Sequence, residues 1–252
     1  MRIDHLTVDD WVRVNPHRMQ QVARVLTRRI GRFLFRYRGY GSERIPAEGG
    51  FIIAPNHGSY LDGFFFGHGT KRTVRFMAKF EALEWPVIGR VIRWCGGFPV
   101  KRGAAGQPAL SVAEHILDSG HGLIMFMEGK LVRTPELGTP FSGLAKLALR
   151  TGVPVVPVAA WGNKPAWVYG RRRISWPRTT VVWGEPLRFD RVEDPDDARI
   201  EHARDVIWAE VSKLHQYAME IHLADGSRPH GFELPPREPV SAVPLESPID
   251  RP

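Results

Sequence analysis

Short apolar runs alternate with longer amphipathic segments along most of the chain. Apolar runs bounded by glycine, proline or charged residues are typical of buried strands, and they occur at 51–54, 74–78, 96–100, 123–127, 153–160 and 179–184. Segments with a one-sided apolar stripe are typical of packed helices, and they occur at 86–94, 108–118, 144–150 and 198–223. The alternation predicts a single α/β domain, and Pro154 and Pro157 favour an edge position or a bulge for their strand.

The two ends of the chain differ from this pattern. From 15 to 38, apolar residues recur at near-helical spacing and arginines fill much of the rest, which predicts a basic amphipathic helix within region 1–40. Such a helix can lie in a membrane interface, or it can pack on the core with a solvated arginine face; both interpretations stay open. Region 41–224 is predicted as the folded domain, and the proline-rich tail 225–252 as disordered.

Charge restricts the class of partner. The net charge of +8 over 252 residues predicts an acidic partner, such as nucleic acid, an anionic membrane or an anionic metabolite. The sequence has no recognisable nucleic-acid motif, so we predict no nucleic-acid partner and favour an anionic membrane surface.

The single cysteine and the lengths of the apolar runs bear on location. Cys95 can form no intrachain disulfide, which suits a reducing compartment. No apolar run has the roughly 18 residues that a membrane span needs, and the first residues lack a secretory apolar core. We predict a cytoplasmic protein that associates peripherally with the membrane face.

The segment around His57 is the strongest candidate for chemistry. His57 follows the apolar run 51–54, and Asp62 follows five positions later. A buried strand would deliver this histidine to the rim of a sheet as a general base, with a carboxylate nearby to orient it. His5 and Asp10 share the spacing without a preceding strand, so the spacing alone is weak. The alternative is a loop histidine beside an aspartate favoured by a helix dipole.

Three predicted strands end in polar, charged turns. The first turn contains His57, the second begins Lys101-Arg102, and the third begins Glu128-Gly129-Lys130. Ligand sites in α/β sheets gather where strands end in loops. A base beside cationic groups predicts chemistry on a phosphorylated or otherwise anionic substrate. The histidines are scattered and show no metal-ligand spacing, so we predict no metal site.

Four segments carry a family signal when they are taken in order. Segment 56–62 reads Asn-His-Gly-Ser-Tyr-Leu-Asp and matches an Asn-His-x4-Asp block; 75–79 and 96–102 together resemble a second block that ends in an arginine. Segment 126–129 reads Phe-Met-Glu-Gly and resembles Phe-Pro-Glu-Gly-Thr-Arg, and 153–158 resembles a proline-containing fourth block. In this order the segments resemble the glycerolipid acyltransferase family, over about residues 40 to 190.

The resemblance implies a fold and an activity. The fold would be a single-domain mixed sheet flanked by helices, with 41–224 as the acyltransferase domain. The activity would be transfer of a fatty acyl group from acyl-CoA or acyl-carrier protein to a hydroxyl of a lysophospholipid, in phospholipid biosynthesis. With 1-acyl-glycerol-3-phosphate as acceptor the product would be phosphatidate. No cofactor is implied beyond the acyl donor itself.

The resemblance also implies roles for single residues. His57 would act as general base and Asp62 would hold its imidazole. The acceptor's anionic group would be bound by Arg102 with Lys101, Lys130 and Arg133, in a pocket shaped by Glu128 and Gly129.

The third block departs from the family pattern. Met127 stands where proline is usual, and Lys130-Leu131 stands where Thr-Arg is usual. Lysine offers a point charge where arginine offers a bidentate fork. Two alternatives therefore stay open: an acyltransferase with another lipid acceptor, and a catalytically idle membrane-binding protein of the same fold.

Overall fold

The fold is described from a computed structural model of the 252-residue chain. The structure describes residues 17–100, 107–132, 134, 136–167 and 173–224. Three groups of predictions lie outside the described residues: the first part of region 1–40, the cationic residues Lys101, Arg102 and Arg133, and the tail 225–252.

Helices and strands follow each other in the predicted order. The helices that the structure describes are α1 His17–Phe33, α2 Asp62–Gly69, α3 Phe80–Glu84, α4 Ile88–Trp94, α5 Gln107–Asp118, α6 Gly143–Thr151 and α7 Asp197–Leu223. The strands are β1 Arg38–Tyr40, β2 Phe51–Pro55, β3 Val74–Lys79, β4 Gly97–Val100, β5 Gly122–Ile124, β6 Val155–Trp161 and β7 Thr180–Trp183. The predicted α/β fold is confirmed, with boundaries that shift by a few residues.

The strands form one mixed sheet in the order β1-β7-β6-β2-β5-β3-β4. The β6–β7 pair is antiparallel, and the other neighbouring pairs are parallel. The carboxyl ends of β6, β2, β5, β3 and β4 therefore lie along one edge of the sheet.

Strand β2 lies near the centre of the sheet and is buried on both faces. Ile52 and Ala54 pack in the core formed with α5, α6 and α7, whereas Phe51 and Ile53 pack on the opposite face with α2. Successive strand residues point to opposite faces, so a continuous apolar run fits a strand covered by helices on both sides. This burial gives the carboxyl end of β2 a fixed position.

The edge position expected for the proline-containing strand is wrong, whereas the alternative, a bulge, is confirmed on the side that faces β7. Strand β6 lies between β7 and β2, and it pairs with β2 in regular register from Val155 to Val158. The ladder with β7 covers Val158 to Trp161, and an isolated antiparallel bridge joins Val155 to Leu187, so the two residues 156–157 face the three residues 184–186. Pro157 lies in this bulge and costs the β7 ladder no N–H bond. The carbonyl of Pro157 still accepts a hydrogen bond from the Gly184 N–H at 2.8 Å.

A buried histidine on α7 makes stability depend on pH. His215 is 8% exposed, its ring lies edge-on against Trp161, and its Nε2 has no hydrogen-bond partner among the described residues. Burial, together with the positive charge of Lys164, lowers the pKa of His215 to about 4. The unfolded chain therefore binds this proton at higher pH than the folded chain, and stability is lost as pH falls from about 6.5 towards about 4.

We expect His215→Leu to remove this acid sensitivity. The drop in unfolding free energy between about pH 7 and pH 4 should shrink by roughly 3 kcal/mol, as denaturant titrations at the two pH values would measure. His115→Gln, on the exposed side of α5, is the control and should leave the drop unchanged. An equal drop in His215→Leu and the unchanged chain would contradict the assignment.

Candidate active site

Three neighbouring strands deliver polar side chains to one place on the sheet. His57 follows the end of β2 by two residues, Glu128 follows the end of β5 by four, and Asn163 follows the end of β6 by two. Since β5, β2 and β6 are parallel neighbours, these ends lie side by side. The sheet therefore brings together residues that are up to 106 positions apart in the sequence, as the numbers 57 and 163 show.

Asn56 joins the ends of β2 and β6. Its side-chain Nδ2 donates to the Ala160 carbonyl at 3.1 Å, and its Oδ1 accepts from the Ala160 N–H at 2.8 Å. Asn56 is 1% exposed, so both hydrogen bonds are shielded from water. It continues the β2–β6 ladder past Pro55 and fixes where the chain turns into His57.

His57 and Asp62 form a hydrogen-bonded pair. Nδ1 of His57 lies 3.0 Å from Oδ2 of Asp62, the first residue of α2. A carboxylate only accepts, so the bond places the ring proton of neutral His57 on Nδ1 and leaves Nε2 as the basic nitrogen. The His57 side chain is 20% exposed, whereas that of Asp62 is fully buried. The base can therefore reach a substrate while its partner stays shielded from water.

The buried carboxylate of Asp62 is compensated by three further donors. Its Oδ2 also accepts from the backbone N–H groups of Gly58 at 2.7 Å and Ser59 at 2.9 Å. Its Oδ1 accepts from Nδ2 of Asn163 at 2.6 Å. Hydrogen bonds to the charged form offset the cost of burying it, and the amino end of α2 adds a favourable field.

Glu128 fixes the backbone of the histidine. It is 2% exposed, its Oε2 accepts from the His57 N–H, and its Oε1 accepts from the Gly138 N–H at 2.7 Å. Burial raises the pKa of Glu128, and the two backbone bonds oppose that rise. On the other side, the His57 carbonyl accepts from the Val132 N–H at 2.9 Å. The peptide groups on both sides of the imidazole are thus held, independently of the side chain.

Phe126 holds the imidazole from one face. Its ring stacks on the His57 ring with centroids 3.9 Å apart and an interplanar angle of 23°. A flat contact at this distance restricts rotation of the imidazole about its side-chain bonds. Together with the bond to Asp62, it leaves the ring one orientation.

The Lys164 side chain contacts both the loop that contains Thr134 and Glu136 and the segment next to His57. Its amine donates to the carbonyls of Thr134 and, at 3.0 Å, Glu136, and its stem lies over Gly58. A Cβ at Gly58 would come within 2.6 Å of the Lys164 Cγ, so glycine allows this close approach. Burial lowers the pKa of Lys164, whereas the nearby carboxylates, Glu128 first among them, oppose the shift.

Sequence reasoning missed Asn163 and Lys164. They directly follow the apolar run 153–160, after Trp161 and Gly162, so the rule that sites gather at strand ends would have found them. An edge position, one of the two alternatives predicted for this strand, would place its end away from His57. Its interior position beside β2 brings Asn163 onto Asp62.

We expect Asn163→Ala to reduce kcat by about 10- to 100-fold, since it removes a hydrogen bond to a buried carboxylate. Steady-state kinetics would separate kcat from KM, and KM should change little because Asn163 is fully buried. Asn163→Ser keeps a donor and should recover part of the rate. A rise in KM alone, with kcat unchanged, would contradict a role in orienting Asp62.

Only some of the other predicted binding residues lie within the part of the chain that the structure describes. Gly129 and Lys130 directly follow Glu128 and are exposed, and a positive φ of 61° at Gly129 makes the turn. Lys101, Arg102 and Arg133 lie outside the described residues. Contact of any of these residues, or of Glu128, with a substrate stays a prediction.

Neither a metal centre nor a membrane-spanning helix is found among the described residues. No group of three or more His, Cys, Asp or Glu side chains converges on a metal-sized site within them. In the same part of the chain, none of the helices is both long and apolar enough to cross a membrane.

Comparison with known proteins places the chain. A family model described as Acyltransferase matches residues 36–161. The chain is 28% identical over 149 residues to a 1-acyl-sn-glycerol-3-phosphate acyltransferase of Bacillus subtilis, covering 59% of this chain and 72% of the relative. It is 27% identical over 186 residues to the enzyme of that name from Streptococcus pneumoniae, covering 73% and 67%.

A solved structure shares the fold. The 1-acyl-sn-glycerophosphate (LPA) acyltransferase PlsC from Thermotoga maritima superposes with a TM-score of 0.64 at 24% identity, covering 79% of this chain and 80% of that one. The matched segment 36–161 includes β2, β5 and β6, and with them His57 and Asp62. The chain belongs to the acyltransferase family.

Proposed function

We propose that this acyltransferase moves a fatty acyl group from acyl-CoA or acyl-carrier protein to a hydroxyl of a lysophospholipid. The acceptor we favour is 1-acyl-glycerol-3-phosphate, with phosphatidate as product. The observation that carries the proposal is the His57–Asp62 pair, in which the bond at Nδ1 leaves Nε2 as the basic nitrogen of a side chain that is 20% exposed. The names of the relatives in Bacillus subtilis and Streptococcus pneumoniae support the same acceptor.

The proposed reaction is direct transfer. Nε2 of His57 takes the proton of the acceptor hydroxyl as its oxygen attacks the thioester carbonyl. The tetrahedral intermediate then expels the thiolate, which takes the proton back from the imidazolium, so an ester bond forms and a thioester bond breaks. Asp62 keeps the ring in the productive tautomer and stabilises the imidazolium.

The side chains near His57 favour transfer without an acyl-enzyme. Ser59 is the nearest hydroxyl in sequence, but it is fully buried, and its Oγ donates to the Trp167 carbonyl at 3.1 Å. The same oxygen accepts from the Leu61 and Trp167 N–H groups. The substrate hydroxyl can take the place that serine has in a triad.

The acceptor's phosphate is proposed to meet the cations that follow the strand ends. These are Lys101, Arg102, Lys130 and Arg133. Lys130 is exposed and lies two residues after Glu128, whose carboxylate accepts from the His57 N–H, and this supports the assignment of Lys130 to the acceptor's phosphate. Action at the cytoplasmic membrane face, without a cofactor beyond the acyl donor, remains part of the proposal.

The test is release of free CoA thiol from palmitoyl-CoA by the purified chain, against a panel of lysophospholipids, with His57→Ala as control. Release that depends on 1-acyl-glycerol-3-phosphate and is lost in the variant supports the proposal. Release with another lipid only would move the acceptor and keep the mechanism. No release with any acceptor, from palmitoyl-CoA or acyl-carrier protein, would favour an idle membrane-binding protein.

A further inference from the structure

An exposed apolar stripe lies on α4 and on the connection between α3 and α4. It consists of Trp85, Val87, Val91 and Trp94, here called the α3–α4 patch, and these side chains are 52%, 73%, 48% and 50% exposed. Positions 87, 91 and 94 recur at helical spacing, so they share one face of α4. A helix on a protein surface normally turns its apolar stripe inward. Here the stripe is turned outward.

The patch belongs to a well-packed hairpin. Leu83 of α3 is fully buried in the core. Gly89 of α4 lies so close that a Cβ there would come within 2.1 Å of the Leu83 carbonyl oxygen. The same carbonyl accepts a hydrogen bond from Arg93 at 2.5 Å. The inner side of the hairpin thus packs against the core, and the exposed stripe is a separate surface.

The hairpin starts at the edge of the sheet that carries the active site. Strand β3 is parallel to β5, and β5 to β2, so the carboxyl end of β3 lies two strands from that of β2. Helix α3 begins directly after β3 at Phe80. Tyr60, next to the catalytic pair, is also 50% exposed. The patch therefore begins, at Trp85, near the edge of the sheet that carries His57, and it ends, at Trp94, beside the amino end of β4.

Helix α1 extends the apolar surface beyond α4. Gln20 of α1 donates to the carbonyl of Cys95, the residue after α4, at 2.7 Å. Two and five positions further on, α1 has Val22 and Val25, which are 64% and 59% exposed. Part of the apolar side of α1 is therefore exposed, whereas an ordinary packed helix would bury that side against the core.

Charge selects the class of partner for this surface. Arg29, Arg32 and Arg90 are exposed on α1 and α4, whereas the exposed acids of α3 are Glu81 and Glu84, of which Glu81 pairs with Lys79 at 3.6 Å. A second copy of the chain would bring another net charge of +8 to the contact. An anionic bilayer offers an apolar interior below a negative surface, and tryptophan is enriched where the two meet.

We propose that the α3–α4 patch inserts into the interfacial layer of an anionic bilayer and keeps the active site close to the lipid surface. The inference rests on the proposed function only in taking the acceptor to be a membrane lipid. Val87 and Val91 enter the acyl boundary, Trp85 and Trp94 lie at headgroup depth, and Arg90 meets the lipid phosphates. A lysophospholipid can then reach His57 without leaving the membrane.

The test is co-sedimentation of the full chain with vesicles of phosphatidylcholine containing phosphatidylglycerol. Val87→Asp/Val91→Asp should weaken vesicle binding by about tenfold or more for each valine that enters the bilayer. Leu223→Asp is the matched control, because Leu223 is 70% exposed on α7 and lies outside the patch. It should bind vesicles as the unchanged chain does.

Activity gives the second readout. Transfer to an acceptor in vesicles should fall in the double variant, whereas transfer to a short-chain acceptor in solution should stay unchanged. Equal vesicle binding by the double variant and the unchanged chain, or an equal loss in Leu223→Asp, would overturn the inference. A dimer of the unchanged chain that becomes monomeric in the double variant would also overturn it, since a second copy would then cover the patch. His57→Ala should bind vesicles normally, so failure of the proposed chemistry is detected separately.

Discussion

His57→Ala is expected to lower kcat by about 10⁴-fold, the upper end of what a positioned general base contributes. Nε2 of His57 is the basic nitrogen of a partly exposed ring that Asp62 and Phe126 hold in place. Truncation leaves the acceptor hydroxyl with water as its base. KM for both substrates should change little, because binding is assigned to other residues.

The variant is a clean test, because the bonds that hold this segment are to the backbone of position 57. Glu128 accepts from its N–H and Val132 donates to its carbonyl, and alanine retains both groups. Thermal unfolding should confirm a folded chain, and His115→Ala on the exposed side of α5 serves as control. A folded His57→Ala chain with the original kcat would remove the proposed mechanism.

The sequence predicted the fold well, because its strong signals are local. The run 51–54 is fully buried as β2, and the stripe predicted at 198–223 is the buried face of α7, which begins one residue earlier, at Asp197. Burial on both faces of a strand and on one face of a helix leaves a periodic pattern in the chain. The departures are short: the strand predicted at 123–127 ends as β5 at Ile124, because the next residues turn towards the active site.

The order of the strands in the sheet is harder to predict from the sequence than the positions of the strands along the chain. Pro157 favoured an edge position or a bulge for β6, and the structure has the bulge in an interior strand. The proline is tolerated there because the regular ladder with β7 reaches only to Val158. The length of a neighbouring strand is a property of the pairing and is absent from the local pattern. Asn163 was missed for the same reason: its contact with Asp62 spans 101 positions and depends on β6 lying beside β2.

The His57–Asp62 pair could be predicted because the turn is local. Five positions separate the two residues, and the N–H groups of Gly58 and Ser59 between them bind the same carboxylate oxygen as Nδ1. The role of Glu128 was harder to predict from the sequence. Its described bonds go to the backbone of His57 and Gly138, and backbone partners leave no signal in side-chain identity.

Asp62→Asn is expected to lower kcat by about 10²- to 10⁴-fold while the chain stays folded, since loss of the orienting charge has an effect of this size in Ser-His-Asp triads. The amide oxygen can replace Oδ2 and accept from the Gly58 and Ser59 N–H groups. Its NH2 group then faces Nδ2 of Asn163, donor against donor. Rotation of the Asn163 amide would present Oδ1, which has no hydrogen-bond partner among the described residues.

That rotation makes the variant a test of charge, with the geometry nearly kept. The neutral amide can still hold the ring of His57, but it cannot stabilise the imidazolium that forms as the acceptor hydroxyl loses its proton. Binding of the acceptor and the donor should therefore persist, and the loss should appear in kcat. Asp62→Ala, which also removes the hydrogen bonds, should lose stability as well as rate. If Asp62→Asn kept the full kcat and Asp62→Ala lost it, the carboxylate would be acting through geometry alone, and its proposed electrostatic role would be wrong.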